Sequence, residues 1–177
     1  MCGTSPCTLV PLRLVAEPLG RRRQGEPGIR LCRTEGSCLL QTAAELLLRR
    51  TGLIDGTGSV ADGQAKVAAL FAAAGVPRTA FDFSDGSGMS TYNRIAPRGM
   101  VTLLDWIARQ PWGAAWRETL PVGGVDGTLA RRLKGTALEG RTFVKPGSIN
   151  ATNPLSGYTL PSSGKVYRKS VWWGKSV

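Results

Sequence analysis

The apolar residues change their period near residue 140, and that change restricts the fold more than any other feature of the chain. Before it, Val67, Leu70, Phe71 and Ala74 recur at i, i+3, i+4 and i+7, the stripe of a helix that buries one face. Gly75 offers a left-handed cap for that helix and Pro77 forbids its continuation. "TAAELLLRR" at 42–50 combines strong helix formers with basic residues before Gly52, and Pro97 opens a further helix that carries Met100, Leu103, Leu104 and Ile107 inward until Pro111 stops it. After the change, Thr142–Lys145, Ala151–Leu160 and Val166–Trp173 read as strands, the last two joined by the turn "PSSG". "AFDF" at 80–83 is an earlier short strand, and a short helix is expected around Leu129 to Leu133. Helices first and an antiparallel cluster of strands afterwards give an α+β fold, with helices packed on the sheet.

With 177 residues and 42% apolar content, one domain with a real core is expected. Residues 1–38 are rich in Pro, Gly, Arg and Cys without a sustained period, so a poorly ordered segment is expected there and the domain is assigned to 39–177. No apolar run has the roughly 20 residues of a membrane span, and the N-terminus shows no basic stretch followed by a continuous apolar core, so neither a span nor an export signal is read. The 23 basic and 12 acidic residues leave a formal charge of +11. That excess suits anionic polymers, but no recognition helix or stacking platform is visible and no specific nucleic-acid partner is expected.

The chain contains no histidine, and Cys2, Cys7, Cys32 and Cys38 form no Cys-x-x-Cys pair, so no metal site is expected. Ser-His-Asp and Cys-His catalysis are excluded by the same absence. Acid–base chemistry falls to Lys, Asp, Glu, Tyr or water, which makes an isolated lysine at a strand end worth attention. Lys145 is such a residue, in "GRTFVKPGSINATNPLSGYTL" at 140–160.

"AAELLLRRTG", "SDGSGMSTYNRIAP", "LPVGGVDGTLARR" and "VKPGSINATNPLSGYTLPSSGK" occur in this order from Ala43 to Lys165. Together they resemble the C-terminal half of the class C low-molecular-mass penicillin-binding proteins, the serine-type D-alanyl-D-alanine carboxypeptidases and endopeptidases that trim peptidoglycan. The resemblance implies an incomplete β-lactamase/transpeptidase-like domain and acyl-enzyme hydrolysis without metal or organic cofactor. It also implies a peptidoglycan stem peptide as substrate, β-lactams as inhibitors of a competent site, and a periplasmic or cell-envelope location.

The family signature is S-x-x-K, S-D-N and K-T-G. By resemblance its third motif falls on Lys145, Pro146 and Gly147. Lys145 is then the catalytic cation, while Gly147 and Ser148 bind substrate, Gly147 by letting it approach the backbone and Ser148 by offering a hydroxyl and the oxyanion N–H. Pro146 replaces threonine and removes both a hydroxyl and an N–H. The second motif falls on Leu39, Leu40 and Gln41, which lack its hydroxyl. The one S-x-x-K string, Ser162 to Lys165, coincides with the expected turn and is read as a turn. Upstream of Ala43 the composition departs from the family, and relatives continue beyond "VWWGKSV", so a truncated or frame-disrupted copy with impaired catalysis is expected. The competing reading is a non-catalytic basic protein that binds peptidoglycan or nucleic acid through charge.

Several other features have ordinary structural readings. Without its context Lys145 is a solvated strand end. Asp85 and the glycines of "DGSG" are turn geometry, Tyr92 and Asn93 precede a helix and suit capping, and Trp106, Trp112 and Trp116 are core or rim packing. The "RRR" at 21–23 is a solvated loop, and adjacent Trp172 and Trp173 must face opposite sides of any strand they share.

Overall fold

The computed structural model describes residues 38–147, 152–162 and 164–174. The segment 1–37, with its basic run and three of the four cysteines, lies outside the described residues. Cys38, read from sequence as the last residue of the 1–38 segment, is the first residue of a helix, so the helical region opens one residue ahead of the 39–177 boundary.

Helices α1 (Cys38–Gly52) and α2 (Val60–Ala73) pack against each other where the glycine at 63 lets the backbones approach. A Cβ at Gly63 would lie 2.6 Å from the Leu48 carbonyl oxygen. The start of α2 is fixed by a reciprocal pair: Asp62 N–H donates to Ser59 Oγ at 3.1 Å, and the Asp62 carboxylate accepts from Ser59 N–H at 3.2 Å. Its end follows the glycine rule, with Gly75 at φ +79° and the Gly75 and Val76 amides donating to the carbonyls of Ala72 and Phe71.

A short 3₁₀ turn, Arg78–Ala80, leads into β1 (Phe81–Asp82), which pairs antiparallel with β2 (Arg94–Ile95). Helix α3 (Pro97–Ala108) follows with Pro97 in its first turn and Gly99, Leu103, Leu104 and Ile107 buried. The predicted inward face is thus observed, and α3 divides it between two clusters. Leu103 and Ile107 pack with Ala74, Val76 and Phe81, and Leu104 packs with Leu120 and Tyr158. Met100 touches both. Trp106, Trp112 and Trp116 are packing residues; Trp112 is the N-cap of the short α4 (Gly113–Glu118) and Trp116 lies within it.

Strands β3 (Thr142–Pro146), β4 (Thr152–Thr159) and β5 (Tyr167–Gly174) form an antiparallel sheet in the order β3-β4-β5. The β4 and β5 pairs mirror about residue 163, inside the expected turn. Two cross-links seat the sheet on α3: the Tyr158 hydroxyl donates to the Leu104 carbonyl at 2.8 Å, and Arg168 pairs with Asp105 at 2.7 Å.

The helix expected around Leu129 to Leu133 is not formed. A single 3₁₀ turn, Gly127–Leu129, is followed by turns up to residue 141. Positive φ at Gly127, Leu133 and Gly135 breaks any helical run, and the glycines supply that backbone without a Cβ penalty.

Candidate active site

Lys145 owes its position to the alternation of β3. Phe143 and Lys145 face the side of the sheet that α3 covers, because Phe143 pairs with Tyr158 and packs in the Leu104 cluster. Thr142 and Val144 face the opposite side and are buried there. Lys145 stands one register step beyond the covered row and is exposed, with its Nζ donating to the Pro146 carbonyl at 2.8 Å.

Amide direction alternates in the same way. Gly147 N–H donates inward to the Pro154 carbonyl at 2.9 Å, whereas Val144 N–H donates outward to the Pro121 carbonyl at 3.1 Å. Residue 146 therefore directs its nitrogen outward, where a proline removes no bond from the β3-β4 ladder. This explains how β3 tolerates a proline at 146: among the described strands β3 lies at the sheet edge, and Pro146 faces its outer side. The segment after α4 covers that edge as far as Val144, with Gly123 N–H also donating to the Thr142 carbonyl at 2.8 Å.

Gly147 packs closely on β4: a Cβ there would come within 2.9 Å of the Pro154 ring, so a side chain would force that ring to shift. Ser148 lies outside the described residues. Of the sequence-predicted trio, Lys145 and Gly147 thus stand at consecutive odd positions on one strand end.

The hydroxyl neighbour of Lys145 was not anticipated. Ser156 is its direct partner on β4, and the Ser156 hydroxyl shares a hydrogen bond with Ser170 of β5 at 3.0 Å, forming the row Lys145, Ser156, Ser170. The β3-β4 register that reveals this row depends on the connection through 147–151, which the sequence pattern does not fix.

The other motif positions are distributed elsewhere. Gln41, in the first turns of α1, donates its amide to the Met89 sulfur at 2.9 Å. The "PSSG" string closes a turn in which Gly164 N–H donates to the Pro161 carbonyl at 3.1 Å, with Gly164 at φ +76° and Ser162 and Lys165 exposed.

Asp85 organises the "DGSG" loop. Its carboxylate accepts from Ser87 Oγ at 2.9 Å, Gly88 N at 2.7 Å, Ser90 N at 3.0 Å and Asn93 Nδ2 at 3.1 Å. Partial burial pushes its pKa up, but those four donors together outweigh burial and hold it below the ordinary value. Asn93 corrects the capping expectation, since the N-cap of α3 is Ala96 without a side-chain bond. Asn93 Oδ1 instead accepts from the Ser84 and Asp85 amides at 2.7 and 3.2 Å. Gly86 N–H reaches Glu45 of α1 at 2.7 Å and locks this loop to the helix.

An open depression of about 300 Å3 is lined by Gln64, Arg78, Asp82, Phe83, Ser84, Tyr92 and Arg94. Lys145 is not one of its walls. Among the described residues, no cluster of three or more metal-ligating side chains is present. What the Lys145 end of β3 offers chemically is an exposed cation beside a strand edge and a glycine.

A family model for the D-Ala-D-Ala carboxypeptidase 3 (S13) family matches residues 41–171, from the start of α1 into β5. The chain belongs to that family. A D-alanyl-D-alanine carboxypeptidase of Actinomadura sp. (strain R39) is 34% identical over 129 residues, which are 70% of this chain and 24% of the relative. The crystal structure of penicillin binding protein 4 from Haemophilus influenzae superimposes with a TM-score of 0.73 at 25% identity, over 84% of this chain and 33% of that one. A second crystal structure of the Haemophilus protein, complexed with a β-lactam, gives the same TM-score. The chain therefore spans about a quarter to a third of the length of these S13 relatives. The α+β reading and the family resemblance both stand. Among the described residues, no helix is long and apolar enough to cross a membrane.

Proposed function

We propose that this chain forms the lysine-bearing wall of a serine-type D-alanyl-D-alanine carboxypeptidase or endopeptidase of peptidoglycan metabolism, working in the cell envelope. The stem peptide lies beside the outer edge of β3, where Lys145 presents its ammonium to anionic groups, and the family resemblance adds Gly147 and Ser148 as the remaining substrate-binding residues. The observation that carries this reading is the placement of Lys145 and Gly147 at the uncovered end of an edge strand, within the region that the S13 family covers. An edge strand can accept an extended peptide, and a cation beside it selects one with a carboxylate.

Lys145 by itself binds but does not acylate. In serine-type acyl transfer a hydroxyl attacks the peptide carbonyl while a base removes its proton, and the amine of the leaving residue departs protonated. The S-x-x-K string at 162–165 does not provide that hydroxyl, because it is bent into the β4-β5 turn with Ser162 exposed. This chain is accordingly assigned substrate binding, with covalent turnover impaired.

Fluorescent penicillin and intact-mass analysis test the reading. Reversible, competable binding without a covalent adduct is the expected result. A stoichiometric acyl adduct on Ser162 would overturn the assignment of that string to a turn, and absence of any binding would remove the proposed site.

A further inference from the structure

We infer that Arg117 is a second cationic, substrate-binding residue of the Lys145 site, where it receives the free carboxylate of a peptide terminus. The inference rests on the proposed function and deepens it by naming the group that reads the peptide end.

Arg117 belongs to α4, directly before the segment that bonds along the outer edge of β3. Its guanidinium carbon lies 5.5 Å from the centre of the Phe143 ring. Phe143 and Lys145 are alternate residues of β3 and point to the same face, separated by roughly 6.6 Å of strand. Burial raises the pKa of the Tyr158 phenol, the cross-strand partner of Phe143, and the Arg117 charge is among those that oppose the rise. Arg117 thus lies over Phe143, and Lys145 is the next residue on that face of β3.

Their surroundings leave both uncompensated. Arg117 Nε is buried and has no hydrogen-bond partner, and no carboxylate among the described residues pairs with this guanidinium or with Lys145 Nζ. Asp105, the carboxylate that α3 presents toward the sheet, is engaged by Arg168 at 2.7 Å. A half-buried guanidinium without an anion is a poor way to fill space, since an apolar side chain would stack on Phe143 without desolvating a charge. It is a good receptor for a carboxylate, whose two oxygens match the planar fork of its terminal nitrogens.

The test uses the full chain and two probes, an N-acylated D-Ala-D-Ala dipeptide as the free acid and as its C-terminal amide, titrated by calorimetry. The wild-type chain is expected to prefer the free acid by about tenfold, the effect of a charge-assisted contact. Arg117→Gln is expected to bring the two probes within about twofold of each other, and Arg117→Lys to restore part of the preference. A preference that persists in Arg117→Gln but disappears in Lys145→Ala overturns the inference and leaves the proposed function standing. Failure of the wild-type chain to bind either probe overturns both. A readout without substitution guards against a variant that does not fold: the Arg117 Nε–H resonance is expected to shift with the free acid and not with the amide, and equal shifts overturn the inference.

Discussion

Gly157 meets the strictest local demand in the sheet. Its φ is +151°, and a Cβ built on it would lie 2.1 Å from the Phe143 carbonyl oxygen and 2.8 Å from Val144 Cα, both backbone atoms that cannot turn aside. Gly157→Ala is expected to destabilise the protein by about 3 kcal/mol, measured by urea unfolding, because strain and overlap fall on the same residue. Asp62 governs a different dependence. Hydrogen bonds from the Thr57 and Ser59 side chains, and then from their amides, hold its pKa at about 2, below the ordinary 3.8. A lowered folded-state pKa means that the stabilisation is fully present above the ordinary value and is lost as pH falls through about 2. Asp62→Asn is expected to flatten the thermal midpoint against pH between those two values while leaving its slope at neutral pH unchanged. Neither residue was singled out from sequence. A glycine among strand residues shows that space is short, but not which carbonyl occupies it, and the capping role of Asp62 depends on Ser59 marking the exact start of α2.

The packing of α3 on β4 and β5 holds the site side of the molecule together. Tyr158 is 2% exposed, its hydroxyl meets the Leu104 carbonyl, and burial pushes its pKa up to about 12, with the Arg168 charge opposing. Leu104→Ala should cost about 3 kcal/mol, the transfer and cavity cost of a fully buried leucine, and Tyr158→Phe about 1 kcal/mol for the lost bond. Pro146→Thr should change stability by less than about 0.5 kcal/mol, since the ladder loses no bond to the proline, and a loss well above that by thermal unfolding would show that the edge is not open. The elements themselves were legible where period and punctuation agreed. α3 follows from Met100, Leu103, Leu104 and Ile107 between two prolines, and the β4-β5 hairpin follows from "PSSG". The segment from 127 to 141 was not legible, because Leu129, only 1% exposed, and Leu133 look like one face of a helix. Their burial is instead achieved by turns, with Leu133 side-chain atoms facing the Gly123 position at about 2.9 Å from where a Cβ would stand.

For the molecule as a whole, order along the chain carried more information than charge. The formal +11 is compatible with any anionic partner, whereas four motifs in sequence pointed to the S13 family, and residues 41–171 match it. The third motif was readable as lysine and glycine at a strand end. The hydroxyl row beside it and the buried Arg117 Nε, without a hydrogen-bond partner among the described residues, arise from packing between segments far apart in sequence, which no local pattern encodes. The central claim is that the exposed Lys145 end of β3 receives a D-alanine terminus. Its most direct measurement is the affinity of an N-acylated D-Ala-D-Ala peptide for the wild-type chain and for Lys145→Ala, with the L-Ala-L-Ala isomer as reference. The account predicts saturable binding of the D,D peptide, at least about tenfold weaker binding of the L,L isomer, and a comparable loss in Lys145→Ala with an unchanged thermal midpoint. Equal affinity of both chains for the D,D peptide, or equal affinity of the wild type for both isomers, would contradict it.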